Sequence, residues 1–226
     1  MTNFTKTWPA VALAALLTIL ASPSVAQVVN LARIEPGDSR FQTSLGLDPA
    51  VLTTVGYTRG FGLGSGIALW GLDLGMAVAE ADIEDLRLRA GLQATLWQTG
   101  SWRFAAGSRL IARTTSNSIY DGQGFGADLT TLAGFYRRGW FVAGSIGYER
   151  TFVMHLEHSD WYKDYIYPEA VDGWYSGESG ILRGGLAAGF AVGVVEVATR
   201  VEWRRLDGGE PLDPPIVGEI SFSVPF

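Results

Sequence analysis

The chain contains no cysteine. No disulfide braces it and no lipid-modified cysteine anchors it, although an exported compartment would permit both. It has only two histidines, His155 and His158, and no HExxH pattern. After the first two dozen residues it has no long apolar run, so nothing reads as a membrane-spanning helix. It also lacks an excess of positive charge. Its Lys and Arg number 17 against 23 Asp and Glu, a formal net charge of −6. That balance argues against a nucleic-acid partner, because the phosphate backbone is held by clustered cations.

Glycine and aromatic residues are abundant. The 29 glycines are scattered rather than clustered, and Phe, Trp and Tyr make up 12% of the chain. With only 18% charged residues, this composition suits a membrane barrel better than a cytosolic domain.

The first residues form a separate unit. Lys6 gives a basic start, Val11 to Ala21 is an apolar run too short to cross a bilayer, and Ser24-Val25-Ala26 offers small residues to a signal peptidase. Residues 1–26 are therefore expected to be a signal peptide cut before Gln27. Residues 27–40 (QVVNLARIEPGDSR) are expected to be a periplasmic lead-in or a small internal plug. Residues 41–226 remain, enough for one domain.

Along that domain, apolar and polar residues alternate. Leu86, Leu88, Ala90, Leu92, Ala94 and Leu96 share one face, while Asp85, Arg87, Arg89, Gly91, Gln93 and Thr95 share the other. Such a period of two is the mark of a strand. The pattern recurs in about ten segments: 41–48, 51–58, 68–77, 85–96, 103–113, 125–137, 140–152, 180–190, 194–205 and 216–226. The predicted fold is all-β: a transmembrane, antiparallel, up-and-down β-barrel of about ten strands, with eight and twelve as alternatives. A soluble sandwich would leave a core of Ala and Gly, whereas a barrel with lipid outside and a polar lumen accounts for both faces.

The connections fit. Those at 62–65, 98–101, 137–139 and 191–193 are short, and Phe61, Trp102, Trp140, Phe190 and Phe226 beside them make an interfacial girdle. Those at 79–84, 116–122, 154–178 and 207–215 are longer, and only 48–50 is tight among them.

The last residues run Gly218, Ile220, Phe222, Val224 and Phe226 on one face against Glu219, Ser221, Ser223 and Pro225 on the other. This stretch resembles the closing strand of bacterial outer-membrane β-barrels. The resemblance implies that Phe226 is the signal read by the barrel assembly machinery, and that the protein sits in the outer membrane of a Gram-negative bacterium. Pro225 departs from that pattern, since it cannot donate to a ladder.

The same register aims Asp73, Asp85, Arg87, Arg89, Arg103, Arg109, Arg113, Asp128, Glu149, Arg183, Glu196, Arg200, Glu202 and Arg204 into the lumen. Mixed charges in a narrow interior should pair, because an unpaired buried charge is costly. Barrels of this size are filled by their own side chains, so the first expectation is a structural or surface-interaction barrel with an ion-paired lumen. A narrow passive channel for small solutes is the second reading, and a rim enzyme acting on lipid or peptide the third. No enzymatic activity and no cofactor is expected.

The 154–178 connection holds His155, His158 and Asp160, a weak set of metal candidates. The two histidines share a face if the segment is helical and oppose each other if it is extended. His158 with Asp160 is similar to the acid/His dyad of omptin proteases, but none of that family's motifs is present. The His/Ser pair of lipid A deacylases is not reproduced by adjacent His158 and Ser159. Trp161, Tyr162, Tyr165, Tyr167, Trp174 and Tyr175 make this connection a cap over the barrel mouth, or the place where an extracellular ligand would bind. A monomer in outer-membrane lipid is expected.

Overall fold

The computed structural model describes residues 28–48, 50–64, 66–77, 85–177 and 180–226. The expected signal peptide and the 79–84 connection lie outside the described residues. Among the described residues eleven strands follow one another: β1 (Ser39–Asp48), β2 (Ala50–Leu63), β3 (Gly66–Ala77), β4 (Leu86–Thr99), β5 (Trp102–Ser116), β6 (Tyr120–Arg137), β7 (Trp140–His158), β8 (Gly173–Ser176), β9 (Gly180–Val192), β10 (Val195–Leu206) and β11 (Pro211–Pro225). One short helix, α1 (Asp160–Tyr165), precedes β8.

Ten of the strands close into a single antiparallel barrel, and β8 is an addition outside the ring. Each barrel strand pairs with its neighbour in sequence, with β7 passing directly to β9. The ring closes where β1 meets β11, from Arg40 opposite Pro225 to Leu47 opposite Gly218. The expectation of ten strands in an up-and-down barrel holds.

The wall is turned inside out relative to a soluble protein. On β4, Arg87, Arg89, Gln93 and Thr95 are buried, while Leu88, Leu92 and Leu96 are 44%, 56% and 60% exposed. Leucines left outward and arginines turned inward are stable only where the surroundings are hydrocarbon. With its strands paired all the way round a closed ring, the barrel meets the requirement for crossing lipid. A one-residue bulge opposite Ala105 and Phe104 turns both Leu96 and Trp97 outward. Trp97 thereby joins Trp102, Trp140, Phe190 and Phe226, all exposed near the tight-turn end. Gly64, Gly100 and Gly193 take positive φ in three of those turns, a conformation closed to most side chains.

The opposite end has an uneven rim. The β1–β2 hairpin turns over between Asp48 and Ala50, level with Gly218. Beyond that level β11 has no strand partner on the β1 side among the described residues, and there it carries Pro211, Pro214 and Pro215. Prolines offer no N–H to an incoming strand, so this free edge is blunted by its own sequence. On the far side β6 and β7 stay paired up to Tyr120 opposite His158. β8 adds a third strand there, from Val153 opposite Ser176 to Leu156 opposite Gly173. Strands thus run further into the long connections than the sequence reading placed them: β6 begins at Tyr120, β7 ends at His158, β8 takes up Gly173–Ser176 and β11 begins at Pro211. On the flap, Tyr120, Met154 and Leu156 are buried together, with Ile119 and Tyr175 packed against them, while Phe152 and Trp174 are exposed.

Candidate functional site

Most of the inward charges meet in a layer across the lumen. Arg89 bonds Asp73 from β4 to β3 at 2.5 Å. Arg113 on β5 reaches Glu149 on β7 at 2.7 Å. Arg183 on β9 binds Asp128 on β6 and stands 3.5 Å from Glu202 on β10. Glu202 in turn lies 3.3 Å from Arg200, which reaches Glu219 on β11 at 3.4 Å. One chain of alternating charge thus runs from β6 through β9 and β10 to β11. Thr130 adds a hydroxyl bond to Asp128 at 2.7 Å. Arg109 lies within electrostatic reach of Asp73 and Asp128, and of Arg89 and Arg200 as well. Arg89, Arg183 and Arg204 are only 1–2% exposed.

Glycine makes room for these long side chains. A Cβ on Gly147 would stand 2.8 Å from the Arg183 guanidinium, and one on Gly91 would stand 2.5 Å from the Arg109 side chain. The scattered glycines of the sequence are thus in part the sockets of the arginines. The space left over is small. Cavities lined by Ser44, Thr54, Arg200 and Glu219, by Gln42, Asp73 and Arg89, and by Val29, Gln93 and Arg200 hold about 20, 10 and 10 Å³. Each has room for about one water.

Towards the tight turns the lumen becomes apolar, lined by Ile67, Leu69, Tyr136, Phe141 and Ala187. Val28, Val29, Leu31 and Ile34 are buried against this lining, and Leu31–Arg33 forms one 3-10 turn. Asn30 is completely buried: its N–H donates to Glu196 at 2.7 Å and its side chain to the Arg137 carbonyl at 2.7 Å. Arg103 donates to the Leu31 carbonyl at 2.9 Å. Of the other expected lumen residues, Arg87 and Arg204 are buried, and Asp85, half-buried at the far rim, accepts from the Ser116 N–H at 3.2 Å.

Two lumen charges were absent from the sequence expectation. Glu219 alternates correctly with Phe222 and Ile220, so its spacing could have revealed it. Arg40 sits one residue before the first alternating segment. It pairs with Glu196 at 3.7 Å and donates to the Arg33 carbonyl at 2.8 Å.

On the flap, His155 and His158 lie on an extended strand, and among the described residues no three His, Asp or Glu side chains converge. His155 packs on Trp174 with ring centres 5.0 Å apart. His158 Nδ1 is 3.1 Å from Asp172, rather than being joined to Asp160, which begins α1. Asp172 also accepts from Lys163 at 2.6 Å, which holds its carboxyl well below the usual range. Ser159 caps α1, accepting from the Tyr162 N–H at 3.2 Å and donating to the Ser118 carbonyl at 2.7 Å. Phe226 is exposed at the tight-turn end, its N–H donating to the Ser39 carbonyl at 3.1 Å and its ring 5.8 Å from that of Tyr57.

No protein-family model and no curated protein matches the chain. Among solved structures it is similar to the KdgM porin, at 6% identity and a TM-score of 0.36, covering 84% of this chain and 99% of that one. It is also similar to the β domain of the Bordetella autotransporter BrkA, at 12% identity and a TM-score of 0.37, covering 83% and 97%.

Proposed function

We propose that this chain is a small, non-enzymatic outer-membrane β-barrel, closed to solutes, that stands as a monomer in lipid and presents its flap to the exterior. The observation that carries this reading is the chain of ion pairs from Asp128 to Glu219, with water-sized cavities beside it. The tight-turn end, which holds both the start of β1 and Phe226, is then the periplasmic end. The exposed Phe226 would engage the barrel assembly machinery from there. A structural role suits the flap, where the groups proposed for catalysis are tied up: Ser159 caps a helix, and His158 is held by Asp172.

The test is single-channel recording of the mature chain refolded into a planar bilayer, with folding verified by heat-modifiable gel mobility. A folded but silent barrel is expected. Steady ohmic steps would overturn the closed reading and make the lumen arginines selectivity residues.

A further inference from the structure

The charge layer is not the only material in the lumen. On its turn side, the bore is filled by residues 28–34 of the chain itself. The contacts there are specific. Glu196 on β10 holds the Asn30 N–H, Arg103 on β5 holds the Leu31 carbonyl, and the Arg137 carbonyl at the end of β6 takes the Asn30 side chain. Arg33 reaches the Gly193 carbonyl in the β9–β10 turn at 2.9 Å. These contacts tie the segment to several separate parts of the wall.

The exit is shaped as well. Gly60 on β2 lets the segment leave the bore, because a Cβ there would stand 2.7 Å from the Glu35 carbonyl and 2.8 Å from Ile34. The nearest atoms to that Cβ all belong to the segment, so the wall elsewhere does not require this glycine. From the bore the chain is fixed at the rim, where the Gly37 N–H bonds the Gly60 carbonyl and the Gly60 N–H bonds the Asp38 carbonyl, at 2.9 and 2.8 Å.

We infer that residues 28–38 are a seated plug, a second stopper in series with the charge layer, latched by Glu196 and Asn30 and releasable from the tight-turn side. The two stoppers differ in kind. The charge layer is part of the wall and leaves only if the barrel unfolds. The plug is attached to the wall at one end, through β1, and its apolar residues pack on an apolar lining that accepts them without covalent ties. Releasing it exposes that lining and the donors of Arg103, Arg40 and Arg33, which now serve plug or wall carbonyls and Glu196. The inference rests on the closed-barrel reading and adds a second barrier to it.

The absence of cysteine allows a clean assay. Leu31→Cys and, as an exposed control, Gly139→Cys are placed singly in barrels held in nanodiscs and treated with a bulky maleimide. The expected result is that Leu31→Cys reacts at least about tenfold more slowly than the control, as a locally protected site does. Adding Gly60→Val should bring the rate to that of the control, with heat-modifiable mobility unchanged. Labelling of Leu31→Cys at the control rate in an otherwise native barrel, or protection that survives Gly60→Val, overturns the plug.

Conductance then separates the two barriers. Deletion of 28–38 alone, and the paired replacements Asp73→Ser with Arg89→Ser and Asp128→Ser with Arg183→Ser alone, are each expected to stay silent. The combination is expected to conduct. Conduction from the deletion alone leaves the plug standing and removes the closed charge layer. Conduction from the paired replacements alone removes the plug as a barrier.

Discussion

Arg89 and Asp73 are register partners on β4 and β3, bonded at 2.5 Å with both side chains almost wholly withdrawn from solvent. Breaking such a pair from one side leaves a bare charge in a low-dielectric bore. Asp73→Ala is expected to lower the unfolding free energy in lipid by about 3–5 kcal/mol, whereas Asp73→Leu with Arg89→Leu should lose much less. Denaturant titration of the refolded barrels measures both. Equal losses for the single and double variants would refute the pairing argument.

The sockets give a second prediction. Gly147→Val places side-chain atoms where the Arg183 guanidinium and the Thr130 hydroxyl now lie. Overpacking of this kind costs about 1–3 kcal/mol. The same titration should register the loss, and Gly139→Ala, at a turn position with open space, should not.

The flap should respond to acid before the barrel does. Lys163 and then the His158 N–H hold Asp172 below its ordinary value of 3.8, so the stabilisation is fully present above that value and fades as the pH falls beneath it. Lys163, raised above 10.5 by Asp172, contributes below 10.5 and fades at higher pH. Amide protection factors of residues 159–172, taken relative to the intrinsic exchange rate at each pH, are therefore expected to be high between those limits and to fall as the pH drops below 3.8. Asp172→Asn should lower them at neutral pH. Identical protection factors at both extremes and at pH 7 would remove Asp172 as the anchor.

Edge protection by proline is testable by removing it. Pro214→Thr with Pro215→Val restores two N–H groups to the unpartnered stretch of β11. The expected consequence is association through that edge, visible as dimers on cross-linking in lipid. A variant that stays monomeric would remove edge protection as the role of these prolines.

Phe226 separates assembly from stability. Its ring rests on Tyr57 at the surface, and its N–H completes one bond to Ser39. Phe226→Ala is expected to cut the amount of folded barrel in cells while leaving spontaneous refolding into synthetic lipid nearly unchanged. Equal losses in both would make Phe226 a packing residue only.

Much of this architecture is written locally. Leu88 and Arg89 declare opposite faces because a strand turns successive side chains by half a revolution, and ten such stretches with tight turns between alternate pairs specify a barrel. The inward set followed from the same count, from Asp73 to Arg204. Glu219 obeys the same count, whereas Arg40 stands before the count begins. Met154 and Leu156 alternate with His155 and Glu157, so the period of two runs on into the flap, past the point at which the sequence reading ends the strand.

The sequence by itself therefore determined the strand pattern, the facing of the wall and the class of surroundings, because all three depend on a period of two between chain neighbours. Only the tertiary structure decided which charges meet. Arg183 finds Asp128 and Glu202 across the bore because the ring has closed, not because of any spacing along the chain. Closure likewise placed Asn30 against Glu196 and turned VVNLARI from an ambiguous leader into lumen filling. Contacts across a lumen join residues far apart in sequence, and no local periodicity encodes them.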